Sequence, residues 1–256
     1  MRIGAVLPVN APTGGHIRGR DIAIGAALME RLGFASLWVF DGVGRGFVLP
    51  DPLLALTAAA TVTTRAELGT GVLQLPLRGT VDTAYRVLTL HHLAEGRLLL
   101  GVGPGSTRRD FDAFGVPYEE RFARFEAELP RLQELLRTGR SRGGDVDLTP
   151  WPAVLGGPPV LLGAWRGSWV ERAAKDADGW IASAAHNDDA TLAGGLARYR
   201  DAGGRRAVVT NVRVERDLDP AVQRLHRLRE MGFDDGVALV IRPTEERLAA
   251  LLEAVS

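Results

Sequence analysis

Strand-length apolar runs alternate with helical stretches from one end of this 256-residue chain to the other, and that rhythm limits the fold more than any single motif does. Strands are read at Ile3–Val9, Ser36–Phe40, Leu68–Leu73, within Gly96–Ser106, and at Val160–Ala164, Gly179–Ser183, Ala207–Val214 and Val237–Ile241. Helical periodicity or capping chemistry follows each one. Ile22, Ala23, Ala26, Ala27 and Met29 recur at helical spacing until Gly33 closes the element, and Asp51-Pro52 pairs a capping carboxylate with a proline at the first helical position. Further helices are expected over about Val81–Leu93, Tyr118–Arg137, Ser168–Ala174, Asp188–Tyr199 and Asp219–Met231, and from Thr244. Eight strand-helix units of comparable length predict an α/β fold, a (β/α)8 TIM barrel in which residues 1–256 form a single domain, rather than an open doubly wound sheet. The longest irregular piece, about 139–159, is rich in glycine and proline and is expected to be an insertion or a lid.

Within that rhythm the stretch GRLLLGVGPGS, Gly96–Ser106, joins a buried strand to a loop that has lost every second side chain. Leu98, Leu99 and Leu100 suit a strand covered on both faces. Gly101, Gly103 and Gly105 let the backbone bend and let a flat or phosphorylated ligand approach. A dinucleotide fingerprint needs G-x-G-x-x-G running into a helix; here the glycines alternate, Ser106 stands in the third place, and Pro104 lacks an amide hydrogen. The turn therefore reads as space for a ring, with phosphate held elsewhere; a tight turn with no ligand fits the pattern equally well.

A barrel concentrates its chemistry at the C-terminal ends of the strands, where this chain places Asn10, Asp41, Gln74, Gly103–Ser106, Ala164–Ser168, His186 and Arg242. This set holds an acid and a histidine but no His/Asp/Glu cluster at metal-ligand spacing, and no G-x-S-x-G elbow. The chain has no cysteine, which excludes disulfides and thiolate chemistry, and its 31 basic residues balance 31 acidic ones without a long single-sign run. Neither nucleic acid nor a charged membrane surface is favoured as partner; a small molecule is. With no signal-peptide pattern and no apolar run of spanning length, the chain is expected to be soluble and cytoplasmic. An enzyme with so few reactive side chains borrows its chemistry from a cofactor.

Several stretches together carry a resemblance to the luciferase-like flavin-dependent oxidoreductases, the bacterial luciferase superfamily. They are Glu30–Phe34 with Ser36–Val39, Asp51-Pro52, Thr64-Arg65 with Leu68–Val72, Thr89-Leu90 with Leu93, Gly96-Arg97 with Gly101–Gly105, Phe114-Gly115, and Ala177–Trp180. The resemblance covers roughly residues 1 to 180. It implies an oxidoreductase that uses reduced FMN or the reduced deazaflavin coenzyme F-420, for hydride transfer to a small organic substrate or for monooxygenation. It further implies a ring stacked over the end of the third strand, where a bulge would hold a non-prolyl cis peptide at Gly71-Val72. Gly103, Pro104, Gly105 and Ser106 would frame the ring, Gly163, Ala164 and Trp165 would lead to a phosphate held near Ser168, and Asp41 would contact the ring. A homodimer formed through the second and third helices is implied as well.

Two departures from the family pattern stand out: Gly42 follows Asp41 where many members have a histidine, and Ser106 stands where one type of deazaflavin dehydrogenase has a glutamate. Acid-base work is therefore expected of Asp41 or His186. Two alternatives remain open on sequence: a flavin-binding relative without catalysis, and a barrel enzyme acting on a phosphorylated small molecule. The sole lysine, Lys175, falls on a helix, which disfavours Schiff-base chemistry in the latter.

Overall fold

The structure is a computed structural model that describes residues 1–8, 18–43, 49–164 and 167–255. The elements follow in the expected order: β1 (Arg2–Val6), α1 (Gly19–Leu32), β2 (Ser36–Val39), α2 (Pro52–Ala60), β3 (Glu67–Thr70), β4 (Leu73–Gln74), α3 (Thr80–Leu93), β5 (Leu98–Gly103), α4 (Arg108–Phe114), α5 (Arg121–Thr138), β6 (Val160–Gly163), α6 (Trp169–Asp176), β7 (Gly179–Ser183), α7 (Asp189–Asp201), β8 (Arg206–Val214), α8 (Asp219–Met231), β9 (Asp235–Val240) and α9 (Glu245–Val255). All strand pairs are parallel, from β1–β2 round to β9–β1, and β3 and β4 each pair with β5. The sheet therefore closes on itself. β3 and β4 are two halves of one barrel strand, which gives the eight-stranded closed barrel that the repeat implied.

Capping chemistry sets the helix boundaries. Asp51 accepts from the amides of Leu53 and Leu54 at 2.9 and 3.2 Å ahead of Pro52, and Gly33 ends α1 at φ 107°. α4 is an element that the sequence reading lacked, a two-turn helix closed by Gly115 at φ 65°. The irregular 139–159 segment joins α5 to β6 at the end of the barrel where strands begin. Its Trp151 stacks on His92 in the last turn of α3 with ring centroids 4.5 Å apart, and Val154 is buried. Leu148 lies beside the first turns of α3 and Arg131 of α5, so the segment packs along the outer face of these two helices.

Two apolar layers result. The larger lies between barrel and helices. The smaller fills the lumen with Val6, Trp38, Leu99, Leu161, Ile181, Val208 and Val237, while Phe40, Val72 and Leu239 pack on it partly buried. Below them, the first residues of four strands form a ring of charge: Arg2 bridges Glu67 and Asp235 at 2.9 and 2.7 Å, and Arg206 bridges the same two at 2.7 and 2.9 Å. Asp235 is fully buried, and its two cationic partners keep that burial from leaving an unpaired charge. The lumen is thus stoppered by ion pairs below and plugged by side chains above, so only its upper rim is open to a ligand.

Glu30 of α1 fixes where β3 begins. Its buried carboxylate accepts from the amides of Thr64, Arg65 and Ala66 at 2.7–3.0 Å. Burial alone would raise its pKa, but these donors outweigh burial and hold it below the ordinary glutamate value. A depressed folded-state pKa gives stability that is present above the ordinary glutamate range and is lost as pH falls through the lowered value. Glu30→Gln is therefore expected to cost about 1.5 kcal/mol at neutral pH in urea unfolding, with the gap to the parent protein closing as the pH is brought down into the acid range.

Candidate active site

The upper rim is shaped by glycines whose missing side chains make room for protein. Trp38 lies wholly buried in the lumen, its Nε1 donating to Ser36 Oγ at 2.8 Å, and a Cβ on Gly69 would stand 2.4 Å from its ring. A Cβ on Gly4 would stand 2.4 Å from Ser36 Oγ, and one on Gly101 only 2.0 Å from the Thr70 carbonyl oxygen. Above this level the peptide between Gly71 and Val72 is cis, as the resemblance implied, and it separates β3 from β4. Val72 then enters a slot between two neighbouring strands: its Cγ2 is 2.8 Å from where a Cβ on Gly103 would be, and its Cγ1 is 2.6 Å from where one on Gly163 would be. The room read from sequence as space for a ring is at Gly101 and Gly103 taken by the chain itself. Val72, Phe40 and Leu239 are only partly buried on top of the lumen cluster and form an apolar floor there.

Asp41 follows the end of β2 and is buried, with both carboxylate oxygens engaged by Arg78, at 2.5 and 2.9 Å. The oxygen nearer Arg78 also accepts from the Gln74 amide at 2.8 Å. Gln74 in turn donates from Nε2 to Asp110 Oδ2 at 2.8 Å, and Asp110 Oδ1 accepts from the Val43 amide at 3.1 Å. This polar chain ties the end of β2, the β4 strand and α4 into one unit. Gly105, at φ 82°, is confined between Gln74 Oε1 and the Phe111 ring, which a Cβ would approach to 2.6 and 2.8 Å. Pro104 is half-buried, and Ser106 is exposed with its carbonyl accepting from the Tyr118 hydroxyl at 3.1 Å.

The sixth strand's end is held differently. Trp180 Nε1 donates to the Ala164 carbonyl at 2.6 Å, fixing the turn after β6, and Trp180 is buried between Tyr199 and Phe233. α6 then opens at Ser168, whose own side chain makes no capping hydrogen bond, so among the described residues its first-turn amides present donors toward the rim. Trp165 and Arg166 lie outside the described residues, as does Asn10. His186 is exposed on the turn after β7, its amide donating to the Ser183 carbonyl at 3.4 Å. Arg242 is exposed beyond β9 at φ 54°. Of the apolar residues named from sequence, Phe40 reaches the rim, Trp38 lies beneath it, Leu75 belongs to the outer core, and Phe114 is exposed with Arg78 5.8 Å from its ring centre.

Residues missed in the sequence lie on β8. Its pairing with β9 slips between Val209 and Val212, so Thr210 and Asn211 together oppose Val237, and Asn211 takes φ 62°. The signal was slight: Asn is the commonest non-glycine residue in that conformation, but VVTNVRV otherwise reads as an ordinary strand.

Residues 1–231 match the family model described as luciferase-like monooxygenase. The chain belongs to that family. Among curated proteins it is 29% identical over 177 residues to 5,10-methylenetetrahydromethanopterin reductase of Methanolobus tindarius, covering 67% of this chain and 52% of the relative. It is 36% identical over 109 residues to limonene 1,2-monooxygenase of Rhodococcus erythropolis, covering 42% of this chain and 28% of the relative. The chain thus spans about half the length of the curated relatives it matches, or less. Its fold is that of monooxygenase RslO1 from Streptomyces bottropensis, with TM-score 0.83, 20% identity and coverage of 99% of this chain and 97% of that one. It is also that of an F420-dependent secondary alcohol dehydrogenase, with TM-score 0.80, 14% identity and coverage of 100% and 99%.

The Val72 slot makes a testable coupling. Gly163→Ala is expected to cost about 1–3 kcal/mol by overpacking, seen as a lowered urea midpoint, and Val72→Ala in the same chain is expected to recover most of that loss because it vacates the slot.

Proposed function

We propose that this chain is an oxidoreductase that binds FMN or the deazaflavin F-420 at the barrel's upper rim and acts on a small organic substrate. The observation that carries this reading is the pairing, in one mouth, of an apolar floor of Phe40, Val72 and Leu239 with the uncapped N-terminus of α6. A flat ring needs the first and a phosphate the second. The residues present therefore fit such a cofactor, and relatives named as a reductase, as an F420-dependent dehydrogenase and as a monooxygenase support the same class. When bound, the cofactor supplies a hydride or, as reduced FMN, activates oxygen.

The chain's own part is position and dryness. Val72, clamped by its slot, cannot swing aside, and with Phe40 it would keep water from the face of a ring resting on it. The Trp180–Ala164 bond and the first-turn amides of α6 would hold a phosphate at a fixed distance from that floor. Asp41, committed to Arg78, would act by fixing the β2 and β4 ends; in this reading it is a positioning residue. His186, on the exposed turn after β7, is then the group proposed to give or take the proton. The helices α2 and α3 carry the exposed apolar residues Leu54, Tyr85 and Leu93, which suits the homodimer that the family resemblance implies.

Equilibrium titration of purified protein with FMN and with F-420, followed by fluorescence, tests the reading. Saturable binding of one cofactor is expected, weakened about tenfold, or about 1.4 kcal/mol, by Asp41→Asn. His186→Asn is expected to leave that affinity unchanged and to slow turnover of the reduced cofactor by about a hundredfold. Failure of both cofactors to bind, oxidised and reduced, would overturn the proposal.

A further inference from the structure

One polar cluster of the rim has no task in the account above. Ile181 and Val208 lie in the lumen, so strand alternation turns Ser183 and Thr210 inward at the next level, and Thr210 Cγ2 is 3.5 Å from where a Cβ on Gly71 would be. The β8 bulge adds Asn211 to the same side: its Nδ2 donates to Ser183 Oγ at 3.1 Å and to Thr210 Oγ1 at 3.3 Å. The orientation of that amide follows from the hydrogens. Thr210 gives its own hydroxyl proton to the Ala182 carbonyl at 3.1 Å, so toward Asn211 its oxygen can only accept, and the group facing it must be the NH2. The Asn211 carbonyl oxygen therefore faces away from both hydroxyls. Ser183 accepts from Asn211 and keeps its own proton to donate. Among the described residues, neither the Asn211 carbonyl oxygen nor the Ser183 proton has a protein partner.

We propose that Ser183 Oγ and Asn211 Oδ1 form a donor-acceptor pair that reads the imide edge of a flavin-type ring: the serine hydroxyl donates to a ring carbonyl, and the asparagine carbonyl accepts the adjacent ring N–H. This rests on the cofactor reading given above. The cluster carries no charge, so it offers little to a phosphate. The partly buried residues around it in the lumen, Phe40, Val72 and Leu239, are apolar, which calls for a ligand with broad apolar faces and one polar edge. FMN and the deazaflavin share that edge, so the pair would serve either. The left-handed conformation of Asn211 is what brings its carbonyl beside Ser183, at the cost of the strand's regular register.

The test is binding, not turnover. Asn211→Gly removes the side chain while keeping a residue at home at positive φ, and Ser183→Ala removes only the donor. Each is expected to weaken FMN and F-420 about three- to tenfold, the span of one neutral hydrogen bond, without lowering the melting temperature enough to unfold the protein at assay temperature. FMN methylated at the imide nitrogen should bind the parent protein more weakly and lose nothing further in Asn211→Gly. Parent-like affinity in both variants, or an equal loss for methylated and unmethylated rings, would overturn the pair while leaving the cofactor reading intact. No binding of either cofactor by the parent protein would overturn both.

Discussion

A tryptophan inside the barrel is the constraint from which the rest of the site follows. Trp38 takes the volume that several ordinary lumen side chains would share, and the strands on either side of β2 answer with glycine at 4 and 69. Interiors pack to crystal density, so a large side chain at one level requires small ones facing it. With Gly69 already flat against the indole, β3 contributes no lumen side chain at that level. The next inward bulk on that strand is Val72, one level higher, and it in turn requires glycine at 103 on β5 and 163 on β6. The floor of the mouth is thus the top of a packing series that starts at Trp38.

This explains why the alternate glycines of β5 were legible as unusual but misleading as to reason. Their spacing correctly marked strand four of the repeat, which is β5 of the structure. Their absent side chains make way for the Thr70 carbonyl and for Val72, partners about thirty residues away that no local pattern names. The same limit hides the ring of Arg2, Glu67, Arg206 and Asp235. Each sits innocuously at the start of a strand, and only barrel closure brings them together. Eight repeats, by contrast, are a local signal counted many times, which is why the architecture could be read without any motif. α4 escaped because a helix of two turns carries too few residues for a period to show.

Asp41 shows how a residue can be placed from sequence while its partners stay hidden. Sequence put an acid at the end of strand two, where barrel enzymes keep reactive groups. Nothing in the local sequence announces that Arg78, beyond β4, closes on it with two bonds while Gln74 offers its amide. A carboxylate so engaged has both oxygens already committed, and withdrawing it would break two bonds to the half-buried Arg78 and leave that cation only its longer, 3.6 Å contact with Asp51. The polar chain from Arg78 through Asp41 and Gln74 to Asp110 is better suited to hold the β2 end, β4 and α4 together than to move protons.

The mouth is accordingly divided. Its β2 to β5 side is rigid: a clamped valine, glycines with no freedom left to them, and a closed ion pair. Its β6 to β8 side holds groups with unspent hydrogen-bonding capacity among the described residues: the first-turn amides of α6, the Ser183 hydroxyl and the Asn211 carbonyl. A ligand resting on Phe40 and Val72 would meet apolar surface there and find its polar orienting contacts on the second side. Chemistry that needs a flat ring held at a fixed height and a fixed rotation would draw the height from Val72 and the rotation from β7 and β8, and the two requirements are met by strands far apart in sequence that only the closed barrel makes neighbours.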